Sequence, residues 1–425
     1  MRVAIVTEVF LPKIDGVVTR LTRTIEQLAA LGHEVAIFAP GTPPATFAGF
    51  PVHRIPSLAL PVYPEIKFGL PSARFFKEIR AFDPDVIHAV NPIWTAALGV
   101  FAAKLDAVPL VASFHTNVPE YVEALGIGWT KPLTVAALKY LHNQAAVNLC
   151  TSGPMVTKAR DLGIRNVRLW PKAVDTHGYH PSKATREMRD RLSDGHPEDP
   201  LFVYVGRVSK EKDLDRLPAI AQSVREKVPS ARLAIVGAGP YLEELKQHFD
   251  DGTVFTGYLS GEDLAAAFAS GDVFVFPSQT ETLGLVALES FASGVPVVGT
   301  RAGGIPFVIT EGVTGRLIEP ELPDAAWAAA IADLLTDPTA RAEMGAAARA
   351  EAEKYSWRES TMSLISAYED AVAAPLAYPS VRSIPRHAAA RACHARRCAC
   401  RRTLRLRSPR PRVRAGTRAR KLGGV

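Results

Sequence analysis

Cysteine is nearly absent from the body of this chain. Of its four cysteines, Cys393, Cys398 and Cys400 fall near the C-terminal end, which leaves only Cys150 for the rest. A disulfide framework is excluded there, and a lone thiol closing an apolar strand pattern is expected to be buried and reduced. No apolar run reaches the roughly 18 residues of a membrane span. The start, MRVAIVTE, enters a strand pattern directly, without the basic region and cleavage site of a secretory signal. These absences lead to the expectation of a cytoplasmic protein. Acid is lacking in one place: residues 371–425 hold 14 Arg and one Lys but no Asp or Glu. The net charge of +7 becomes −8 for residues 1–370 once those fifteen cations are set aside. The basic balance therefore belongs to the tail, and nucleic acid is not an expected partner of the body. Residues 374–425, rich in Arg, Ala and Pro, bury too little to offset their ordering entropy and are expected to be disordered.

What is present is ample apolar sequence, 47% of 425 residues, enough for two or three domains. Short β-branched runs alternate with helical patterns. Strands are expected at Val3–Thr7, Glu34–Ala39, Val86–Ala89, Leu110–Phe114 and Ala146–Cys150, with a helix over Val17–Leu31 that stops at Gly32. Residues 171–200 break the rhythm with Pro, Gly and Asp and read as a linker, carrying a short helix at Arg186–Leu192. The alternation restarts at Leu201–Val205, Arg232–Val236, Val254–Thr256, Val273–Phe276 and Val295–Gly299, with helices at Leu214–Lys227 and Asp324–Leu335. The fold class is α/β, two doubly wound parallel sheets in tandem. The first domain takes residues 1–170 and the second 201–355, followed by a last helix over 356–373. Ligands of such sheets lie at the carboxyl ends of the strands, so the cleft between the domains is the expected site.

The stretch that draws most attention is PSQTETLGLVALESFASGVPVV at 277–298. An apolar strand ends, a polar turn carries Glu281, and Gly284 opens a helical pattern holding Glu289, with seven residues between the glutamates. A strand end, a glycine turn and a helix N-terminus suit phosphate, because free N–H groups and the helix dipole favour anions. Carboxylates are pure acceptors and suit hydroxyls. Phosphates and hydroxyls together describe a nucleotide-sugar; an ordinary βα turn with a solvated Glu is the alternative. Earlier in the chain, Gly206 and Arg207 follow a strand end and Lys212 follows closely, two cations able to neutralise a leaving diphosphate. A glycine at a strand end, as at Gly206, allows close approach of a ligand, and VGAGP at 236–240 repeats this through Gly237, though it lacks the third glycine of a dinucleotide fingerprint. Asp15-Gly16 precedes the first long helix, and His115 ends the fourth strand. The Asp-x-Asp triplets Asp83–Asp85 and Asp213–Asp215 read as caps rather than metal ligands. Residues 129–142 combine Trp, Tyr and Leu with Lys131 and Lys139, as a membrane-surface helix or a packed helix with snorkelling lysines would.

In their order these residues resemble the retaining glycosyltransferases of family 4. The carriers are the Gly16 loop, His115, GRVSKEK at 206–212, VGAGP and the glutamate pair. Within the family, SFHTNVPEYV, WTKPL, RLWPKAVD and RAGGIP are similar to members that transfer sulfoquinovose to diacylglycerol. TEVFLPKIDGVVTRL is similar to bacterial GDP-mannose-dependent mannosyltransferases that build glycolipids. The resemblance implies the GT-B fold, two facing Rossmann-like domains with an interdomain cleft, and covers about residues 1–373. It implies that Arg207 and Lys212 grip the diphosphate, Glu289 holds the ribose and Glu281 the donor sugar. The backbone at Leu283, Gly284 and Leu285 would meet the phosphates, Gly16 would approach from the other domain, and His115 would lie against the donor sugar. The last helix would return to the first domain. No cofactor or metal is implied; a UDP- or GDP-sugar is the co-substrate, a lipid or glycolipid the acceptor, and the inner face of the cell membrane the place of work. A UDP-sugar epimerase of the same fold is a further reading.

Overall fold

The structure is a computed structural model and describes residues 1–59, 67–115, 128–249 and 252–376. The quoted residues Thr116–Val122 and the Arg-rich tail lie outside the described residues. The first half holds β1 (Arg2–Thr7), β2 (Glu34–Pro40), β3 (Thr46–Phe47), β4 (Phe50–Ile55), β5 (Ser57–Ala59), β6 (Lys67–Gly69), β7 (Val86–Val90), β8 (Leu110–Phe114), β9 (Val147–Cys150) and β10 (Val167–Leu169). Among the described residues these build a sheet in the order β10-β9-β8-β7-β1-β2-β4-β3, parallel throughout except for the β3–β4 hairpin. β5 and β6 pair separately. Side chains of β1 alternate between two buried faces: Val3 and Ile5 join one core, Ala4 and Val6 the other. Both faces being covered explains why the strand reads as a continuous apolar run.

The helix Gly16–Ala30 covers one face. Asp15 caps it, accepting from the N–H groups of Val17 and Val18 at 3.0 Å each. Leu21, Ile25 and Leu28 recur at helical spacing and are fully buried, each contributing about 1.5–3 kcal/mol. Trp357–Ala373 packs on the same face through Leu364, Ile365 and Tyr368.

The second half holds β11 (Leu201–Val205), β12 (Arg232–Val236), β13 (Thr253–Gly257), β14 (Val273–Phe276), β15 (Val297–Thr300) and β16 (Gly315–Ile318), all parallel in the order β13-β12-β11-β14-β15-β16. Its core also takes Val174, Met188 and Leu192 from the stretch expected to be a linker. The helix Arg186–Leu192 stands as expected, and its apolar Met188 and Leu192, with Arg189 donating to the Ser270 carbonyl and to Asp272 at 2.7 Å each, help tie the polar stretch to the second domain.

Each sheet has one place where its strand order reverses. In the first it lies between β1 and β7, in the second between β11 and β14. The loops leaving those strands splay apart and open a crevice. Gly16 follows β1, Lys212 follows β11 and Glu281 follows β14, so the sequence motifs sit at the two crevices.

Candidate active site

Glu281 and Lys212 meet. Lys212 Nζ donates to Glu281 Oε1 in a short ion pair between the turns after β11 and β14, adjacent strands at the crevice. Both side chains are about one-fifth exposed, at 22% and 17%. The turn carrying Glu281 is held on every side. Asp213 Oδ2 accepts from the Gln279 N–H at 3.0 Å, and Thr280 Oγ1 donates to the Glu211 carbonyl at 3.0 Å. Gly304 N donates to the Glu281 carbonyl at 2.6 Å. A Cβ on Gly303 would lie 2.4 Å from that same carbonyl, and one on Gly304 2.2 Å from the Thr282 carbonyl. RAGGIP is thus a bed into which the backbone of residues 281–282 sinks, and only bare α-carbons allow the approach.

The turn is also tied to the first domain. Thr282 Oγ1 donates to the His115 carbonyl at 2.8 Å, and Ser152 Oγ donates to the Thr282 carbonyl at 2.6 Å. Gly284 follows in the left-handed region at φ +79° and precedes the helix Leu285–Ala292, one residue later than the pattern suggested. A Cβ on Gly16 would stand 3.8 Å from Leu285 Cδ1, so the first-domain loop and the start of this helix do face each other. That distance is ordinary contact; Gly16 is not sterically compelled.

Glu289 lies further along the helix in a small cavity between the halves, lined by Thr19 and Arg23 of the first helix, by Asp175 and Tyr179, and by Leu285 and Trp357. Burial is the main cause that raises its carboxyl to about 8, opposed by a hydrogen bond from Tyr179 and the charge of Arg23. The expectation of an ionised pair of glutamates is corrected here: with its carboxyl at about 8, Glu289 is mostly protonated at neutral pH, since burial outweighs its partners.

His115 is buried at the end of β8. Burial and then the charge of Arg20 push its imidazole well below the ordinary value, so it is neutral. Its N–H donates to Asn91 Oδ1 at 3.3 Å and its Nε2 lies 2.8 Å from Ser113 Oγ. Arg207 follows β11, its backbone carbonyl accepting from the Tyr204 hydroxyl at 2.9 Å.

Two glycines have a reason other than a ligand. A Cβ on Gly237 would fall 1.9 Å from the Gly206 carbonyl, and one on Gly206 2.9 Å from the Tyr204 hydroxyl. The paired strand ends pack on each other, and this contact by itself demands glycine at 237. Each aspartate triplet has a residue at a helix end, as expected: Asp83 is a C-cap, and Asp213 closes the 3-10 turn Lys210–Lys212 and opens Leu214–Arg216 without a side-chain cap bond. Asp83 ends the helix Ala73–Phe82 in the left-handed region, Asp85 Oδ2 accepts from the Arg2 N–H at 2.8 Å, and Asp213 serves Gln279. Among the described residues no group of three or more His, Cys, Asp or Glu is gathered as metal ligands would be.

Glu8 escaped the sequence reading. It follows β1 and takes four backbone N–H groups, of Ile93, Trp94, Thr95 and Ala96, at 2.8–3.0 Å, filling the N-terminus of the helix Thr95–Asp106 with the protein's own carboxylate. Its signal, an acid directly after a strand, is too common to single it out. Tyr179 and Ser152 were likewise missed, because their partners are more than a hundred residues away.

Comparison with known proteins supplies the rest. Residues 14–177 match the family described as Glycosyltransferase Family 4, and residues 188–351 that described as Glycosyl transferases group 1. A sulfoquinovosyl transferase of Arabidopsis thaliana is 40% identical over 82% of this chain and 69% of its own length. This chain belongs to the family 4 glycosyltransferases. It is a hexosyltransferase enzyme of the GT-B fold. A GDP-mannose-dependent alpha-mannosyltransferase of Mycolicibacterium smegmatis is 36% identical over 87% of this chain and 97% of its own. In fold, the chain is similar to a sucrose-phosphate synthase of Thermosynechococcus elongatus, with a TM-score of 0.71 at 21% identity over 88% of this chain and all of that one. Anabaena HepE in complex with UDP-glucose gives 0.69 at 18% identity, over 86% and 99% of the two chains.

Proposed function

We propose that this glycosyltransferase moves a hexosyl group from a UDP-sugar, of the sulfoquinovose or a related class, to a lipid hydroxyl such as that of diacylglycerol, with retention of configuration. The observation that carries the reading is the meeting of Lys212 and Glu281 at the second crevice, one helical segment away from Glu289. A cation for the departing diphosphate lies beside a carboxylate for sugar hydroxyls, and a second carboxyl stands ready for a ribose. Arg207 shares the diphosphate with Lys212, the N–H groups of Leu283, Gly284 and Leu285 meet phosphate oxygens, and Gly16 closes over them. The N–H groups of a helix N-terminus and two cations stabilise the leaving group electrostatically. Attack from the face of departure lets a phosphate oxygen take the acceptor proton, so no protein nucleophile enters the scheme.

The acceptor side is apolar. Ile14 and Trp94 are 53% and 58% exposed on loops that follow the adjacent strands β1 and β7. Trp129, Leu133 and Tyr140 are exposed on or beside the helix Lys131–His142, and Phe101 and Leu105 on the neighbouring helix. Lys104 Nζ joins the two helices through the Tyr140 hydroxyl at 3.1 Å. Aromatic and aliphatic side chains set among Lys104, Lys131 and Lys139 suit an anionic bilayer surface. No described helix is long and apolar enough to cross a membrane, so surface docking on the inner face is the mode of attachment proposed. A GDP-mannose-dependent mannosyltransferase acting on a glycolipid is the second reading, favoured by the mannosyltransferase matched over nearly its whole length. Binding and slow hydrolysis of UDP- and GDP-sugars, offered separately without acceptor, decide between them; failure of both classes to bind refutes the proposal.

A further inference from the structure

Behind His115 runs a chain of buried hydrogen bonds that the transfer chemistry does not itself require. His115 Nε2 lies 2.8 Å from Ser113 Oγ, Ser113 Oγ lies 2.8 Å from His88 Nε2, and His88 Nδ1 lies 2.8 Å from the Tyr368 hydroxyl. His88, Ser113 and Tyr368 are all fully buried, and His115 nearly so. The chain crosses from the returning helix Trp357–Ala373, through β7 and β8, to the cleft.

We infer that Tyr368 and His88 are positioning residues, which through Ser113 fix His115 as the neutral tautomer with its proton on Nδ1. Each of the four groups can both donate and accept. An arrangement in which Ser113 Oγ accepts from both imidazoles leaves the buried Ser113 hydroxyl proton without an acceptor among the described residues, which disfavours it. Two directions then remain. In the first, Tyr368 donates to His88 Nδ1, His88 Nε2–H donates to Ser113 Oγ, and Ser113 donates to His115 Nε2, leaving the proton of His115 on Nδ1. In the second every bond reverses, and the Tyr368 hydroxyl proton is left without an acceptor inside the core. Among the described residues Tyr368 has no other hydrogen-bond partner for that proton. A buried donor without an acceptor is disfavoured more than a lone pair without a donor, and the Nδ1–H of the first direction avoids that cost because His115 Nδ1 is not among the buried atoms left without a partner, so the reversed chain is a minority of about a tenth or less. Neutrality of all members is what makes the direction matter. Burial keeps both imidazoles unprotonated and the Tyr368 phenol far from ionising, and the Arg20 charge acts further on His115. The backbone of His115 is fixed separately, by Asn91 at its N–H and Thr282 at its carbonyl. The ring therefore presents a fixed Nδ1–H donor. Its use toward an oxygen of the donor sugar rests on the proposed glycosyltransferase reading, with His115 lying against that sugar as the family resemblance implies; the tautomer itself does not.

The test is long-range proton–nitrogen NMR of the full chain labelled with nitrogen-15 histidine, with the His115 signals assigned by their loss in His115→Gln. The expected pattern is protonated Nδ1 and bare Nε2 at His115, and the opposite pattern, bare Nδ1 and protonated Nε2, at His88. Tyr368→Phe keeps the ring and removes the donor, and should convert His115 to a mixture of tautomers or to the Nε2–H form. Protonated Nε2 at His115 in the parent, or an unchanged His115 pattern in a folded Tyr368→Phe, overturns the inference. Should Tyr368→Phe unfold, Ser113→Ala reads the same contact: it must abolish the dependence of His115 on His88, and an unchanged His115 pattern refutes the chain. Steady-state kinetics then separate the two ideas. A tautomer shift with kcat lowered about 10-fold and nucleoside diphosphate affinity unchanged supports both; a tautomer shift without loss of kcat leaves the positioning chain standing and removes His115 from the donor-sugar contact.

Discussion

Glu289 offers a sharp test, because its carboxyl is set at about 8 by burial. At pH 7 such a group is ionised in roughly one molecule in ten, and at pH 9 in about nine of ten. A carboxylate that accepts from two ribose hydroxyls must be ionised, whereas a carboxyl still carrying its proton has lost part of that capacity. Binding a nucleoside diphosphate sugar should then draw a proton off Glu289, and affinity should climb about 10-fold from pH 7 to pH 9, or about 1.4 kcal/mol. Glu289→Gln keeps the shape and removes the titration, so its affinity should be flat over that range after correction for the ligand. Calorimetry in buffers of different ionisation enthalpy counts the proton directly. The same shift has a sign for stability. The unfolded chain gives up this proton near 4.5 and the folded chain near 8. Between those values the unfolded state binds fewer protons, so the group's contribution to stability falls as pH rises, and Glu289→Gln should lessen the fall. Equal pH dependence of binding in parent and variant, with no proton released, would refute the reasoning.

Four further outcomes are expected. Lys212→Ala should lower turnover by about 10²-fold or more while the protein stays folded, the scale for losing one preorganised contact to a leaving group; activity within a few-fold of the parent removes Lys212 from that role. Glu281→Ala should act chiefly on kcat and leave affinity for the free nucleoside diphosphate unchanged, whereas Glu289→Ala should weaken that affinity; the reverse pattern exchanges their assignments. Gly303→Ala should destabilise by at least about 1–2 kcal/mol from its left-handed backbone alone, with more from the contact to the Glu281 carbonyl, and a melting temperature equal to the parent's contradicts this. Leu133→Asp should weaken binding to vesicles of anionic lipid with little change in hydrolysis of the soluble donor, and undiminished vesicle binding removes that helix from the docking face.

The fold was legible because its cores are continuous. β8, β11, β12 and β14 lie where apolar runs placed them, since strands covered on both faces admit few polar residues. β4 and β10 were missed for the same reason inverted. β4 runs Phe50–Ile55 as FPVHRI with only Val52 and Ile55 buried, and β10 keeps only Val167 inside. Edge and near-edge strands are held by backbone pairing to a neighbour, and that pairing leaves little mark on side-chain choice. The connection at 171–200 misled by its polarity; about two turns of helix put Met188 and Leu192 on the same side, against the second core.

The site was legible in its residue types and not in its protonation or its supports. Spacing put Glu281, Lys212, Gly284 and Leu285 just past strand ends, where they lie in the structure, since a motif attached to a strand end inherits its place from the sheet. Nothing local to Glu289 could show that its carboxyl sits between Tyr179 and Arg23, residues contributed by the chain's connection and by the first helix. The glycines divide along the same line. Gly237 was expected to make room for a ligand, yet the Gly206 carbonyl 1.9 Å from its would-be Cβ already forbids a side chain. Gly303 and Gly304 were quoted only as part of a resemblance, and they form the surface on which the Glu281 turn rests. A glycine at a strand end thus reports a close approach of backbone without naming what approaches, and in this protein the nearest answer is the protein itself. The turn so built is rigid before any donor arrives: Asp213, Glu211, Gly304, Ser152 and the His115 carbonyl each take or give one hydrogen bond to residues 279–282 or their backbone. In the roles proposed for Lys212 and Glu281, preorganisation of that kind would let them act on a developing charge without first having to reorient, and it is supplied by the residues that hold the turn.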